Sequence, residues 1–231
     1  MTISKSIFPG FDHYFSLGVN CEGAFQIRRV LGRDSSCFFS WNVTDFLSLQ
    51  AILENNFLGV CEFANLDYPE NGLIRDRSYD YKFHFPANLN WTGTEGGREF
   101  SQLRDKMMYL ARKFTQIAES GRPTAYFYRT EEPTDVREKA LRVVDALMRY
   151  HATGNFKLIV LQAESRREAD WDEPNLANRY LARFAPWSDA TDGHVRSWDR
   201  VFSEFPHSVY PLRLAGFDQL SNPSAETDNF A

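Results

Sequence analysis

The stretch from residue 98 to residue 161 constrains the fold most, because helical and strand periodicities succeed one another there without interruption. Phe100, Leu103, Met107, Leu110, Phe114 and Ile117 step by three and four, which predicts an amphipathic helix over 98–119 that Gly121 and Pro123 end. Ala125-Tyr126-Phe127-Tyr128 then reads as a strand. A helix from Thr134 turns Val136, Ala140, Val143, Val144 and Leu147 inward and stops at Gly154, and Leu158-Ile159-Val160-Leu161 is a further strand. Strand, helix, strand in that order implies a parallel pair joined by a right-handed crossover.

The N-terminal part repeats the theme. Tyr14-Phe15-Ser16-Leu17 reads as a strand punctuated by Gly18, with Asn20 as the N-cap of a helix carrying Ala24, Ile27 and Leu31 on one face and closed by Gly32. A helix is predicted from Thr44 as N-cap, with Phe46, Leu49, Ile52 and Leu53 inward. Residues 60–97 have little period, except that Tyr81, Phe83 and Phe85 alternate with Asp80, Lys82 and His84 as a half-buried strand would. Helices are predicted near 174–184 and 195–205. The expected architecture is a single α/β domain over 1–217, with a mixed or mostly parallel central sheet and helices on both faces. The polar tail, 218–231, is predicted to be disordered.

Charge and cysteine usage narrow the function classes. Acidic residues outnumber basic ones by 31 to 26, so the chain has no surplus of cations to neutralise phosphates, and nucleic acid is not an expected partner. Cys21, Cys37 and Cys61 are odd in number and widely spaced, which indicates neither a disulfide framework nor a zinc knuckle and suits a reducing compartment. No stretch has the length of a signal peptide's apolar region or of a membrane span, so the sequence reads as cytoplasmic and soluble. Phe, Trp and Tyr together make up 15% of the chain, enough to build a thick core or to line a cleft.

Cys21 follows a strand, Gly18 and Asn20, so it falls in the first turn of a helix. Free N–H groups and the macrodipole there favour an anion, which would depress the thiol pKa and help to hold an oxyanion on an attacked carbonyl. The alternative is an inert cysteine packed under the turn. His84, on the polar face of its strand, either projects into a cleft or is simply solvated.

Ser16-Leu17-Gly18-Val19-Asn20-Cys21, Ala24, the run Gln26-Ile27-Arg28-Arg29, Phe39 and Trp41 resemble the opening of a family of bacterial proteins classed as papain-like cysteine peptidases, the DUF1796 family. The resemblance is strongest over about 14–60 and covers about half of the chain. It implies a cysteine nucleophile at Cys21 and a histidine base at His84, with no cofactor. The family pattern has Phe-Asp-Trp where this chain has Phe39-Ser40-Trp41, and an acidic residue where this chain has Phe85-Pro86 after the histidine. Candidates for a group orienting the base are therefore Asp80, Asn88 and Asp45, with Gly18, Asn20, Ser40 and Trp41 as supporting residues.

The expected reaction is acyl transfer on a peptide or on an acylated small molecule or glycan. Two readings stand beside it. One is a binding module for carbohydrate or peptide that uses the aromatic 60–97 region with Trp91. The other is a surface-polysaccharide transferase using Asp76 and Asp80. Asp189, Asp192 and His194 crowd one loop and are candidates for binding a divalent ion, although an exposed polar loop explains them too, and Asp192-Gly193-His194 lacks the spacing and Gly-Asp-Ser partner of an SGNH hydrolase. His13, His151 and His207 stand alone and suit capping or surface roles. There is no P-loop, dinucleotide glycine motif or zincin motif.

Overall fold

The computed structural model describes residues 10–84 and 97–215. In chain order its elements are β1 (His13–Ser16), α1 (Glu22–Leu31), β2 (Asn42–Val43), α2 (Phe46–Glu54), β3 (Leu73–Asp76), β4 (Tyr81–His84), α3 (Arg98–Glu119), β5 (Thr124–Arg129), α4 (Val136–Met148), β6 (Phe156–Ala163), β7 (Leu176–Leu181) and α5 (Val195–Glu204). Four strands form a parallel sheet in the order β1-β5-β6-β7, and three form a small antiparallel sheet in the order β2-β4-β3.

Side chains alternating along the parallel strands define two cores. Tyr14, Phe127, Ile159 and Leu181 point one way and meet Ile27 and Val30 of α1 and Trp198 and Phe202 of α5. Phe15, Tyr126, Leu158 and Leu176 point the other way, toward Phe114 of α3 and Ala140, Val143 and Leu147 of α4. The expected α/β domain with helices on both faces is thus present. Phe114 is the hub of the second core, its ring 5.5 Å from those of Phe39 and Phe57 and 5.7 Å from that of Tyr126. Aromatic pairs at such spacings add about 0.5–1.5 kcal/mol each beyond their burial.

Several expectations need correction. Leu176-Ala177-Asn178-Arg179-Tyr180-Leu181 is the fourth parallel strand and no helix, because burial beside β6 along its whole length overrides the helix propensity of Ala, Leu and Arg. The N-cap of α2 is Asp45, whose carboxylate accepts the Ser48 N–H at 2.8 Å; Thr44 lies one residue outside. His151 is no surface residue. It is fully buried with Nε2 2.7 Å from the Tyr126 hydroxyl, and burial lowers its pKa to about 4. His207 does cap, its Nδ1 accepting from the Val209 and Tyr210 N–H groups. The tail at 218–231 and Trp91 and Asn88 lie outside the described residues. Among the described residues no helix is long and apolar enough to cross a membrane.

Candidate active site

The turn after β1 is forced by close packing. Gly18 has φ +109°, a conformation that side chains rarely adopt, and a Cβ there would lie 3.2 Å from that of Thr44. Val19 sits at φ +65°, a strained value for a β-branched residue, and its N–H donates to the Thr44 carbonyl at 3.3 Å. A Cβ on Gly23 would come within 2.6 Å of the Ser16 hydroxyl, so only glycine lets α1 pack this tightly against the strand end. Cys21, one residue later than expected, is the N-cap of α1. Asn20 nevertheless serves the helix end, its side-chain oxygen accepting the Glu22 N–H at 3.0 Å.

His84 reaches the same place from the other sheet. The chain at 42–44, which holds the Gly18-Val19 turn through Thr44, continues back into β2, and β2 pairs with β4. Along β4, Tyr81 and Phe83 are buried while Lys82 and His84 are exposed, as the alternation predicted. This relay brings the Cys21 sulfur to 3.5 Å from His84 Nε2, across 63 residues of sequence. Both side chains line a cleft of about 1050 Å3 whose walls include Phe25, Trp41, Leu103, Met107 and Trp187.

The thiol is 9% exposed, and burial pushes its pKa up to about 11. The direction is opposite to the expected depression, and burial is its cause. Cys21 therefore rests as a thiol beside an imidazole, and its proton must be removed during reaction. Cys37 and Cys61 are also free and buried, with thiol pKa values raised by burial, and among the described residues neither is hydrogen-bonded to a histidine.

No family model, curated protein or solved structure matches the chain significantly.

The most constrained residue at the site was not anticipated. Glu22 follows Cys21 directly and is wholly buried. Its carboxylate accepts from Trp198 Nε1 at 2.9 Å and from the Ala185 N–H at 3.1 Å, and lies 3.4 Å from Arg129 Nε. One acid thus ties the start of α1 to the end of β5, to the chain after β7 and to α5. Gly193 closes over it, since a Cβ there would stand 2.7 Å from Glu22 Oε1. A first-turn acid is an ordinary helix signal, so nothing local in the sequence marked this one as buried.

The expected orienting groups are elsewhere. Ser40 is buried in its own turn, accepting from the Cys37 N–H at 3.0 Å and donating to the Cys37 sulfur. Asp45 caps α2. Asp80 is bound to Arg75 at 2.5 Å, and neither it nor Asp76 lines the cleft. Asp76 is committed to the N–H groups of Cys61 and Ser78. Among the described residues, the His84 ring has Cys21 as its hydrogen-bond partner and no carboxylate. Trp41 does line the cleft, where its ring packs edge-on against Phe25 at 5.1 Å and lies under the Arg28 guanidinium at 4.8 Å.

The loop at 189–194 is structural. Asp192 forms a two-pronged ion pair with Arg183, Asp189 accepts from Thr191, and His194 Nδ1 contacts the Ser197 hydroxyl at 2.7 Å. No group of three His, Cys, Asp or Glu among the described residues is placed to hold a metal.

Proposed function

We propose that this protein is a cysteine-dependent acyl-transfer enzyme, a hydrolase or transferase, with Cys21 as nucleophile and His84 as base. The observation that carries the reading is the 3.5 Å separation between the thiol and the imidazole inside a large cleft. Thiol and imidazole within reach of each other are the minimum unit for general-base activation of sulfur. The resemblance of residues 14–60 to the opening of the DUF1796 family implies the same pair of residues.

In the proposed reaction His84 Nε2 takes the thiol proton as sulfur attacks an ester, thioester or amide carbonyl. The carbonyl carbon becomes tetrahedral and its oxygen anionic. Collapse breaks the bond to the leaving group, which receives the proton from the imidazolium, and leaves a thioester on Cys21. Water or another acceptor, deprotonated by the same imidazole, then releases the acyl group. Because burial keeps the resting thiol protonated, proton transfer accompanies attack; no preformed thiolate is needed.

Incubation with p-nitrophenyl acetate tests this. The expected result is acetylation at Cys21, detected by mass spectrometry of peptides, that is lost in Cys21→Ser and slowed about 100-fold or more in His84→Gln. Labelling of Cys21 at the rate of Cys37 and Cys61 would end the reading.

The aromatic lining of the cleft, Phe25, Trp41, Tyr109 and Trp187, favours a second reading, a non-catalytic module binding peptide or glycan there. It predicts ligand binding that Cys21→Ser leaves unchanged, with no acyl intermediate.

A further inference from the structure

Asn20 is 6% exposed, lines the cleft and immediately precedes Cys21. The two ends of its side-chain amide are in very different positions. Oδ1 accepts the Glu22 N–H at 3.0 Å, while Nδ2 is buried and has no hydrogen-bond partner among the described residues. The orientation is determined: a flipped amide would set the Asn20 NH2 group against the Glu22 N–H, donor to donor. The amide oxygen is tied to the N–H of Glu22, whose carboxylate is in turn held by Trp198 and Ala185 and faces Arg129. A buried amide donor left unpaired is unfavourable and calls for a reason.

We infer that Asn20 Nδ2 donates to the oxyanion that forms when Cys21 attacks a carbonyl, and that the site is thereby selective for acyl compounds among the electrophiles a thiol can meet. This rests on the reading of Cys21 as an acyl-accepting nucleophile and deepens it. Sulfur attacks alkyl halides and disulfides as well, but neither develops a negative oxygen. A donor held ready at the nucleophile's own turn lowers the barrier only for esters, thioesters and amides, whose carbonyl oxygen takes up the electron pair displaced when the S–C bond forms.

The test compares two reactions at one sulfur. Acylation of Cys21 by p-nitrophenyl acetate builds an oxyanion, whereas alkylation by iodoacetamide does not. Asn20→Ser and Asn20→Asp both keep an oxygen that can accept the Glu22 N–H, and both remove the amide donor. The expected outcome in each is a fall in acylation rate of about 100- to 1000-fold, the usual effect of deleting one oxyanion donor, with alkylation by iodoacetamide changed far less. Asn20→Ser guards against the added charge of Asn20→Asp.

The wild type gives an independent readout. The Asn20 side-chain amide resonances should shift when an aldehyde forms a hemithioacetal with Cys21 and should shift less on alkylation. Equal losses of acylation and alkylation in the variants, or an amide signal indifferent to the aldehyde, would overturn the assignment. Failure of the underlying reading looks different: wild-type Cys21 would alkylate yet never acylate.

Discussion

Glu22 Oε2 and Arg129 Nε face each other at 3.4 Å with the acid fully buried and the arginine 5% exposed, and the acid directly follows Cys21 in the chain. Charges taken out of water in this way cost free energy unless they find partners, and here the carboxylate finds two hydrogen-bond donors and one facing cation on three separate parts of the chain. The pair behaves as a fixing point for the first turn of α1.

Glu22→Gln should therefore destabilise the protein by about 3 kcal/mol, the lower end of the range for breaking a buried pair, because Arg129 keeps its contact with the exposed Glu131. The amide NH2 would also oppose either the Trp198 or the Ala185 N–H. Urea denaturation measures the loss. Replacing Glu22 by Leu and Arg129 by Met together should recover part of it, and a double variant no better than Glu22→Gln would show that the pair is not what holds the turn.

Gly193→Ala places a methyl group 2.7 Å from Glu22 Oε1 and 2.9 Å from Gln26 Nε2, both on buried side chains with little room to yield. Overpacking of that kind costs about 1–3 kcal/mol. The melting temperature should drop, and the rate of Cys21 acylation should drop with it because the displaced acid adjoins the nucleophile. A variant with unchanged melting and acylation would refute the close contact.

Cys21 should show a late pH profile. Its thiol pKa is raised from 9.0 to about 11 by burial, so alkylation by iodoacetamide should still be climbing above pH 10, where an exposed thiol has levelled off. Stability follows with a definite sign. Between pH 9 and 11 the unfolded chain has released a proton that the folded chain retains, so the contribution of Cys21 to stability declines as pH rises through that window. A rate profile flat above pH 8 would contradict it.

His151 sets a second window at the acid end. Burial lowers its pKa from 6.5 to about 4, so from pH 6.5 down to 4 the unfolded chain is protonated there while the fold holds a neutral ring. Stability should fall by about 3 kcal/mol over that range from this residue. His151→Gln, which keeps an acceptor for the Tyr126 hydroxyl, should flatten the dependence measured by urea midpoints at pH 7 and 4.5. His13, half-buried and also lowered to about 4, accounts for a slope that persists in the variant.

The elements that sequence made visible are those whose local pattern and tertiary setting agree. The α3 stripe runs from Arg98 to Glu119 as its spacing required, and Cys21 and His84 were marked by a strand end and by a polar strand face. Where setting overruled pattern, reading failed. β7 carries helix-forming residues yet is buried beside β6, and β2, with two residues, is too short to leave a periodic trace. The orienting residues failed for a related reason. Asp45, Asp80 and Ser40 were near the site in sequence, but each satisfies its own turn or helix end, whereas the partners of Glu22 come from positions 129, 185 and 198.

The Thr44 carbonyl accepts both the Val19 N–H and the Tyr128 hydroxyl, each at 3.3 Å. It stands where the large sheet, bearing the sulfur, meets the small sheet, bearing the imidazole. The proposed nucleophile and base are thus carried by different sheets, and their 3.5 Å approach is set by how those sheets pack together through the core that Phe39, Phe57 and Phe114 share.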